Sequence, residues 1–539
     1  MPSTWSTVKR RTVFKGTLKP YQPEAVDAMV NRKKMLVAYE MGLGKTCMTI
    51  AALENLKDAG EITRPILVIA LSSLKYQWQK EIEKFSDAET EVIDGSKHQR
   101  TVQWMRGHDW QRAWDTNNSY VICNYEAVVN DWDFIKDFEW GAVVCDEATA
   151  IKGFKSQRSK KVKELARNVP VRFALTGTPI ENGRPEEVYS IMQFVDPTLL
   201  GRFDLFDQTF IVRNHFGGVQ RYRNLDMFHN KMKQASVRKV QTDADVAPYL
   251  PDTLHRDPLL VRFDAKSSDL YGHIADELSQ ELIEAQQLLG ASFSLMAHYG
   301  HENQQGGPAD ALRGSIMSKI TALRMLCDHP DLLTDSANKF DEGDGEGSAY
   351  CSSLKFRGLL DDVKKSYKLE QLKSYVNDHL DTDPDAKVVV FTSWVGMLDK
   401  IQDAVGGTFY TGYMNAKEKE ASKEKFLTDP ACRVFISSDA GGYGVDLPNA
   451  NLLVNYDLPW SAGLAVQRNG RIKRASSRWP SITIQDMLID NSIEMRQFDM
   501  LQQKNAVADA VIDGKGINSK GGVDLTVGSL IGFLQKDRP

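Results

Sequence analysis

"LVAYEMGLGKTCMTIAAL", residues 36–53, joins an apolar run to a segment with Ile50 and Leu53 at helical spacing. Gly42, Leu43, Gly44, Lys45 and Thr46 fall at the junction. Glycines there let backbone N–H groups curl around phosphate oxygens, and the N-terminus of the following helix adds its dipole. Lys45 is placed to reach the β- and γ-phosphates and Thr46 to bind Mg²⁺. The full GxxxxGK[ST] pattern has glycine where this chain has Tyr39, so a chance GxGKT at a strand–helix junction is the competing reading. In this context the pattern predicts a nucleotide site over Gly42, Leu43, Gly44, Lys45 and Thr46.

The same strand–helix rhythm extends outward. "KKMLVAYE", "PILVIAL", "SYVICNY", "GAVVCDE" and "RFALTGT" are short apolar runs between amphipathic segments over residues 17–200. "KVVVFTS", "TFYTG", "CRVFISS", "NLLVNYD" and "SITIQDML" repeat the pattern over 356–495. Alternation of this kind predicts two α/β domains with parallel sheets, whose ligands sit at the carboxyl ends of the strands. Residues 201–355 show helical periodicity, as in "DLYGHIADELSQELIEAQQLL" and "IMSKITALRMLC", and predict a helical insertion and linker. Two loops are expected within it, "GHENQQGGPAD" and the acidic "KFDEGDGEGSAYCSS", the second a linker candidate. Residues 1–16 and 496–539 form tails, the latter ending in an apolar "VGSLIGFL" expected to dock on the body.

The chain's 539 residues exceed one hydrophobic core and suggest roughly three domains. With 42% hydrophobic and 26% charged residues it reads as an ordinary globular protein, neither disordered nor fibrous. No apolar run approaches the roughly 18–20 residues of a membrane span, and the charged start lacks a secretory apolar region. Six scattered cysteines, several within apolar runs, suit reduced core thiols, so a cytoplasmic location is expected. The ten histidines form no zinc pattern. A net charge of −5 argues against wholesale coating of nucleic acid but not against a local groove.

"GAVVCDEATAIKG" lies about a hundred residues beyond the glycine loop. Its apolar run ends in Asp146–Glu147, which fits a strand whose first carboxylate holds Mg²⁺ while the second polarises the attacking water. An exposed acidic pair at a strand end is the plain alternative; the preceding glycine loop favours an ATPase. "RFALTGTPIEN" then offers Thr176 and Thr178 around Gly177 at another strand end.

With these blocks in order, the chain resembles the SWI/SNF-type branch of superfamily 2 helicases, ATP-driven translocases on double-stranded DNA. The resemblance runs from about residue 18 to 475 and implies that each α/β domain is RecA-like. "LKPYQPEAV" resembles the Q motif and implies that Gln22 reads adenine. "LVIALSSLKYQWQKEIEKF" resembles motif Ia and implies backbone contacts to DNA from Ser72, Ser73 and Lys75; Trp78, Ile82 and Phe85 have helical spacing and read as core. "ICNYEAV" is similar to the next DNA-facing motif, through Asn124. "LTGTPIENGRPEEVYSIMQFVDPTLLG" is the most specific block, and implies that Thr176, Gly177 and Thr178 couple the ATP site to motion. "SVRKV" stands where the family has a basic pair, implying DNA contact by Arg238; Ser393 in "VVVFTSWVGMLDKI" is assigned likewise. "LRMLCDHPDLL" resembles a family signature in which Cys327 and His329 read as packing residues, since two ligands do not close a metal site.

In "FISSDAGGYGVDLPNANLLVNYDLPW", Gly442 and Gly444 would allow close backbone approach, and Asp446 would orient a sugar hydroxyl or an arginine. "AVQRNGRIKRASSR" follows, with five positive charges in fourteen positions. The resemblance implies that Gln467 bridges to ATP and that Arg471 and Arg474 are the arginine-finger pair, placed by their i, i+3 spacing on one helix face; Arg468 is assigned to the same cleft. An arginine finger contributes about 10³–10⁵ in rate.

The chain departs from the family at Tyr39, at Thr149 within DEAT, at Ser461, and at "RASSR" where glycine-glutamine usually follows motif VI. These mark a compact divergent branch, bacterial or viral, with no room for a chromatin-reading module. The basic run Lys152, Lys155, Arg158, Lys160, Lys161 and Lys163 reads either as a solvated helix face or as a DNA contact; the adjoining motif favours DNA, with Lys152 the chosen contact. The expectation is a monomeric ATP- and Mg²⁺-dependent motor on double-stranded DNA without sequence readout. A single-strand or RNA helicase and an ATP-switched binding scaffold are the alternatives. Glu147→Gln is expected to keep ATP binding and abolish turnover, measured by nucleotide binding beside phosphate release.

Overall fold

The computed structural model describes residues 14–109, 119–213, 219–289, 308–439, 445–513 and 527–534. Strands β1 (Lys34–Tyr39), β2 (Ile66–Ala70), β3 (Glu89–Val92), β4 (Ser119–Asn124), β5 (Ala142–Asp146) and β6 (Val171–Leu175) share one sheet. A short hairpin, β7 (Ile211–Arg213) and β8 (Val219–Tyr222), precedes β9 (Ser236–Lys239), which completes that sheet in the order β3-β4-β2-β5-β6-β1-β9. All its pairings are parallel. Strands β2, β5 and β6 are buried at every position, which is why they read as unbroken apolar runs with no period-2 alternation.

This sheet belongs to a first unit built from residues 1–206, 224–249 and 508–517. The second unit comprises 207–223, 250–507 and 518–539. Besides the β7–β8 hairpin, its strands are β10 (Asp252–His255), β11 (Leu259–Val261), β12 (Val388–Thr392), β13 (Thr408–Tyr410), β14 (Val434–Ser438), β15 (Leu452–Asn455) and β16 (Ser481–Ile489). They run β10-β16-β15-β12-β14-β13, with β11 also on β16, again in parallel. The two parallel-sheet domains expected from the alternating pattern are therefore present. Strands β3, β9, β10 and β11 had no strong signal, being short and only partly buried.

The segment rich in helical periodicity folds with the second unit. Helices Ala265–Leu289 and Pro308–Asp328 pack along one another, and the apolar helix Val527–Leu534 packs on the first of them through Val527, Leu530 and Leu534. The acidic stretch proposed as a linker is instead the turn between two packed helices, Asp331–Asp341 and Ala349–Phe356. The Ser348 N–H donates to the Ser336 carbonyl at 3.2 Å, and the Ser348 hydroxyl caps the second helix. Glycines and acidic residues here serve a tight reversal rather than a tether. The loop proposed at 300–310 lies almost wholly outside the described residues.

One buried polar cluster ties the helices of the second unit to its sheet. Lys368 Nζ donates to Asp328 Oδ1 at 2.8 Å and to Glu494 Oε1 at 2.6 Å, all three being buried. The Trp394 indole donates to Asp328 Oδ2 at 2.6 Å, and the Tyr456 hydroxyl donates to the Asp328 carbonyl at 2.6 Å. Cys327 beside it is core, and His329 Nδ1 accepts the Asp331 N–H at 3.1 Å. Removing one partner of a buried ion set leaves an uncompensated charge. Lys368→Met is therefore expected to destabilise the protein by about 3–5 kcal/mol, read from denaturant unfolding followed by tryptophan fluorescence.

Candidate nucleotide site

The first unit's parallel register brings three strand ends to one edge. Val37 of β1 lies opposite Leu175 of β6, and Leu175 lies opposite Asp146 of β5. The segments that follow these strands, 40–46, 147–151 and 176–178, are consequently neighbours although far apart in the chain.

After β1 the chain turns through Gly42 (φ 81°) and Gly44 (φ 82°) into helix α2 (Lys45–Asp58), which follows α1 (Pro23–Arg32). Only a residue without Cβ takes the left-handed conformation at no cost. At Gly44 a Cβ would also collide with the Gln22 side-chain nitrogen. Gln22 is buried against the loop: its Nε2 donates to the Leu43 carbonyl at 2.9 Å, and its Oε1 accepts the Lys19 N–H at 2.8 Å. Lys45 Nζ donates to the Tyr39 carbonyl at 2.9 Å. The Tyr39 side chain, which departs from the family pattern, is buried and donates to the Tyr21 carbonyl at 3.3 Å. Its hydroxyl is thus held by the Tyr21 backbone while its own carbonyl takes the Lys45 ammonium.

Asp146 at the end of β5 is buried. Its Oδ2 accepts the Trp78 indole N–H at 2.7 Å, its Oδ1 accepts the Glu147 N–H at 3.0 Å, and its carbonyl accepts the Tyr125 hydroxyl at 2.7 Å. Burial pushes the Asp146 carboxyl above its ordinary range, against the Trp78 hydrogen bond and the positive charge of Lys45. Each carboxylate oxygen carries two lone pairs, so one accepted bond apiece leaves capacity for a cation. With the Thr46 hydroxyl at the start of α2, this oxygen-rich donor set fits Mg²⁺ on a nucleotide. Glu147 has φ 47° and ψ 57°, a strained conformation for a non-glycine residue that clusters at functional sites. Thr176 and Thr178 are buried, the Thr178 N–H donating to Thr176 Oγ1 at 3.1 Å. A Cβ on Gly177 would come within 3.3 Å of the Met41 backbone nitrogen, so this turn rests directly on the glycine loop.

Several side chains assigned to DNA are engaged within the first unit. Ser72 and Ser73 are exposed, and Ser72 Oγ accepts from Asn124 Nδ2 at 2.6 Å. Asn124 also caps the next helix, accepting the Ala127 N–H at 2.9 Å. Lys75 is buried and donates to the Ile93 carbonyl at 2.9 Å and to Asp94 at 2.7 Å. Lys152 pairs with Glu181. Arg238 donates to the Ala38 and Gly177 carbonyls at 2.8 and 3.1 Å and pairs with Asp513 at 2.8 Å and Glu40 at 3.4 Å. Arg238 thus braces the two loops of the nucleotide edge, a role invisible without knowing that β9 lies beside β1. The basic run divides: Arg158 pairs with Glu126 at 2.6 Å, and Lys163 is half-buried, its ammonium lowered to about 8 by desolvation. Lys155 and Lys160 are exposed.

In the second unit the helix Ala462–Asn469 stops at Gly470, so Arg471 and Arg474 lie beyond it and do not share a helix face. Both are instead tied to the segment after β14: the Leu447 N–H donates to the Arg471 carbonyl at 3.0 Å, and Arg474 pairs with Asp446 at 2.6 Å. Gln467 is buried nearby on the helix. Arg468, expected in the nucleotide cleft, is fully buried inside this unit, its Nε on Asp439 Oδ1 at 2.6 Å and its NH1 on the Asp457 carbonyl at 2.5 Å. Ser393 joins this cluster, donating to Asp457 Oδ1 at 2.5 Å and accepting from Arg468 NH2 at 3.1 Å. Burial pushes the Asp457 carboxyl up, but Arg468, Arg324 and the hydroxyl donors outweigh it and hold the group below its ordinary range. Gly442 and Gly444 lie outside the described residues.

A family profile described as the SNF2-related domain matches residues 21–332, more than half of the chain. The chain belongs to the SNF2-related family. A profile described as the helicase conserved C-terminal domain matches residues 367–476 of this SNF2-related chain. It is similar to the putative ATP-dependent helicase/translocase YwqA of Bacillus subtilis, 24% identical over 93% of this chain and 49% of the relative. It is also similar to the DNA repair and recombination protein RAD54-like of Gallus gallus, 26% identical over 93% of this chain and 68% of the relative. Among solved structures, it is similar to the Sulfolobus solfataricus SWI2/SNF2 ATPase core in complex with dsDNA, at 22% identity and a TM-score of 0.41 over 95% of this chain and 98% of that one. The chain spans about half the length of the first curated relatives it matches. Among the described residues, no helix is long and apolar enough to cross a membrane.

Trp78 is the site residue that periodicity concealed. It reads as core and is core, yet its indole N–H needs a buried acceptor, and the nearest strand-end carboxylate supplies one. For Gly44→Ala, left-handed strain of about 1–2 kcal/mol adds to the collision with Gln22, so ATP binding is expected to weaken at least about tenfold, measured with a fluorescent ATP analogue.

Proposed function

We propose that this chain hydrolyses ATP with Mg²⁺ at the glycine loop of its first unit and uses the turnover to translocate along double-stranded DNA without reading its sequence. The observation that carries this reading is the convergence of the glycine loop, Asp146–Glu147 and Thr176–Thr178 on one sheet edge in a chain of the SNF2-related family. The relatives' names, an ATP-dependent helicase/translocase and a DNA repair and recombination protein, support it.

In this reading the backbone N–H groups at Gly42, Leu43 and Gly44 bind the phosphates, Lys45 neutralises their charge, and Gln22 recognises the base. Asp146 and the Thr46 hydroxyl would hold Mg²⁺, which when bound neutralises charge on the phosphates. Glu147 orients and deprotonates the attacking water. Thr176, Gly177 and Thr178, resting on the loop, relay its state. Arg471 and Arg474 are assigned to transition-state charge, a role suited to permanently charged, forked donors, with Gln467 as their partner. Gly442, Gly444 and Asp446 are assigned to coupling. Ser72, Ser73, Asn124, Lys75, Lys152, Arg238 and Ser393 are assigned to the DNA side. Of these, the exposed Ser72–Ser73 turn is the best supported; Lys75, Asn124, Lys152, Arg238 and Ser393 are each engaged with other groups of their own unit. A handful of phosphate contacts suffices for non-specific grip despite the net charge of −5. The protein is proposed to work as a monomer in the cytoplasm.

Stimulation of ATP hydrolysis is the deciding measurement. Duplex DNA is expected to raise the rate at least about tenfold over basal, and more than single-stranded DNA or RNA of equal nucleotide concentration. Stimulation by single strands alone would sink the duplex reading. The DNA-stimulated rate of Arg471→Ala is expected to fall by about 10³ while ATP binding persists.

A further inference from the structure

Helix α3 (Lys75–Phe85) follows the exposed Ser72–Ser73 turn directly, with only a single helical turn of 3₁₀ type, Ser72–Leu74, between β2 and its start. Five residues after Ser73 the same helix presents Trp78, which is 1% exposed. Its indole N–H meets Asp146 Oδ2 at 2.7 Å. Indole nitrogen is a donor only, so this contact has one polarity and requires an unprotonated carboxylate oxygen opposite it. The second carboxylate oxygen takes the Glu147 N–H at 3.0 Å. Two donors from different elements therefore fix the carboxylate plane: one from its own strand end, one from α3.

Helix α3 is seated as a rigid piece. Trp78 and Ile82 are buried on one face, and Lys75 Nζ anchors its first turn to the Ile93 carbonyl and to Asp94. Ser72 is held in turn by Asn124. A displacement of the Ser72–Ser73 turn that α3 follows as one piece would carry the indole with it.

We propose that Trp78 is a positioning residue that couples the Ser72–Ser73 turn to the nucleotide site: α3 sets the orientation of the Asp146 carboxylate through the indole N–H. The inference rests on the reading of Asp146 as the Mg²⁺ ligand and of the serine turn as a DNA contact. A ligand's outer-shell hydrogen-bond partner is worth roughly 10–100-fold in metal affinity.

The test uses the full chain carrying Trp78→Phe, with 3-benzothienylalanine at position 78 as a second variant that keeps the bicyclic shape and lacks only the N–H. Asp146→Asn serves as the reference. Binding of a fluorescent ATP analogue is titrated with Mg²⁺ and repeated in EDTA, and duplex stimulation of hydrolysis is measured alongside. Both Trp78 variants should need about tenfold or more Mg²⁺ for half-saturation, bind nucleotide normally in EDTA, bind labelled duplex normally, and lose most of the duplex stimulation. Wild-type metal dependence in the benzothienyl variant, with Asp146→Asn impaired, overturns the inference. A shifted metal dependence with full duplex stimulation overturns the coupling. An unimpaired Asp146→Asn overturns the assignment of the metal ligand itself.

Discussion

Parallel pairing of β5, β6 and β1 is the constraint on which the candidate nucleotide site depends. Parallel strands end on the same side of a sheet, so their carboxyl ends deliver whatever residues follow to a common edge. The pairing of Val37 with Leu175 and of Leu175 with Asp146 sets the glycine loop, the acidic pair and the threonine turn at matching heights. Because these strands are buried along nearly their whole length, a slip would shift the strand ends against one another and separate the loops that follow them. Register and site geometry are thus the same property of the first unit. The close seating of Gly177 on Met41 follows from it, and a Cβ there would press on the Met41 backbone at 3.3 Å.

Buried charge is matched inside each unit. In the first, Lys57 pairs with Glu54 at 2.9 Å with both side chains enclosed, and Lys75 pairs with Asp94 at 2.7 Å. In the second, the buried charges are matched internally: Lys368 with Asp328 and Glu494, Arg468 with Asp439 and Asp457. Buried ions without partners cost several kcal/mol each, so these clusters hold helices and sheet in one arrangement.

The fold was legible because its strands are short, apolar and separated by amphipathic helices, a pattern with few other solutions. The glycine loop, Asp146–Glu147 and Thr176–Thr178 were legible for a second reason: each is local, a few residues long, at the end of a strand. Edge strands such as β3 and β9 carried no such signal, because half-exposed strands tolerate polar residues. The acidic turn at 342–348 was misread as a linker, since glycine and charge suit a tether and a tight helix reversal equally well.

What the sequence by itself determined is the set of local conformations and chemistries: a glycine loop between a strand and a helix, a carboxylate pair at a strand end, a threonine turn at another; the end of the helix before Gly470 was decided by the fold, against the helical spacing of Arg471 and Arg474. Tertiary structure alone decided which polar groups meet. Arg468 and Arg471 stand three residues apart in one basic stretch, yet one is enclosed by Asp439, Asp457 and Ser393 while the other lies past the helix end. Trp78 and Asp146 are 68 positions apart, and their hydrogen bond exists because β2 and β5 are paired and α3 packs against the sheet they form. Hydrogen bonds act over about 3 Å, so partners remote in sequence become partners only once the sheet has brought their elements together.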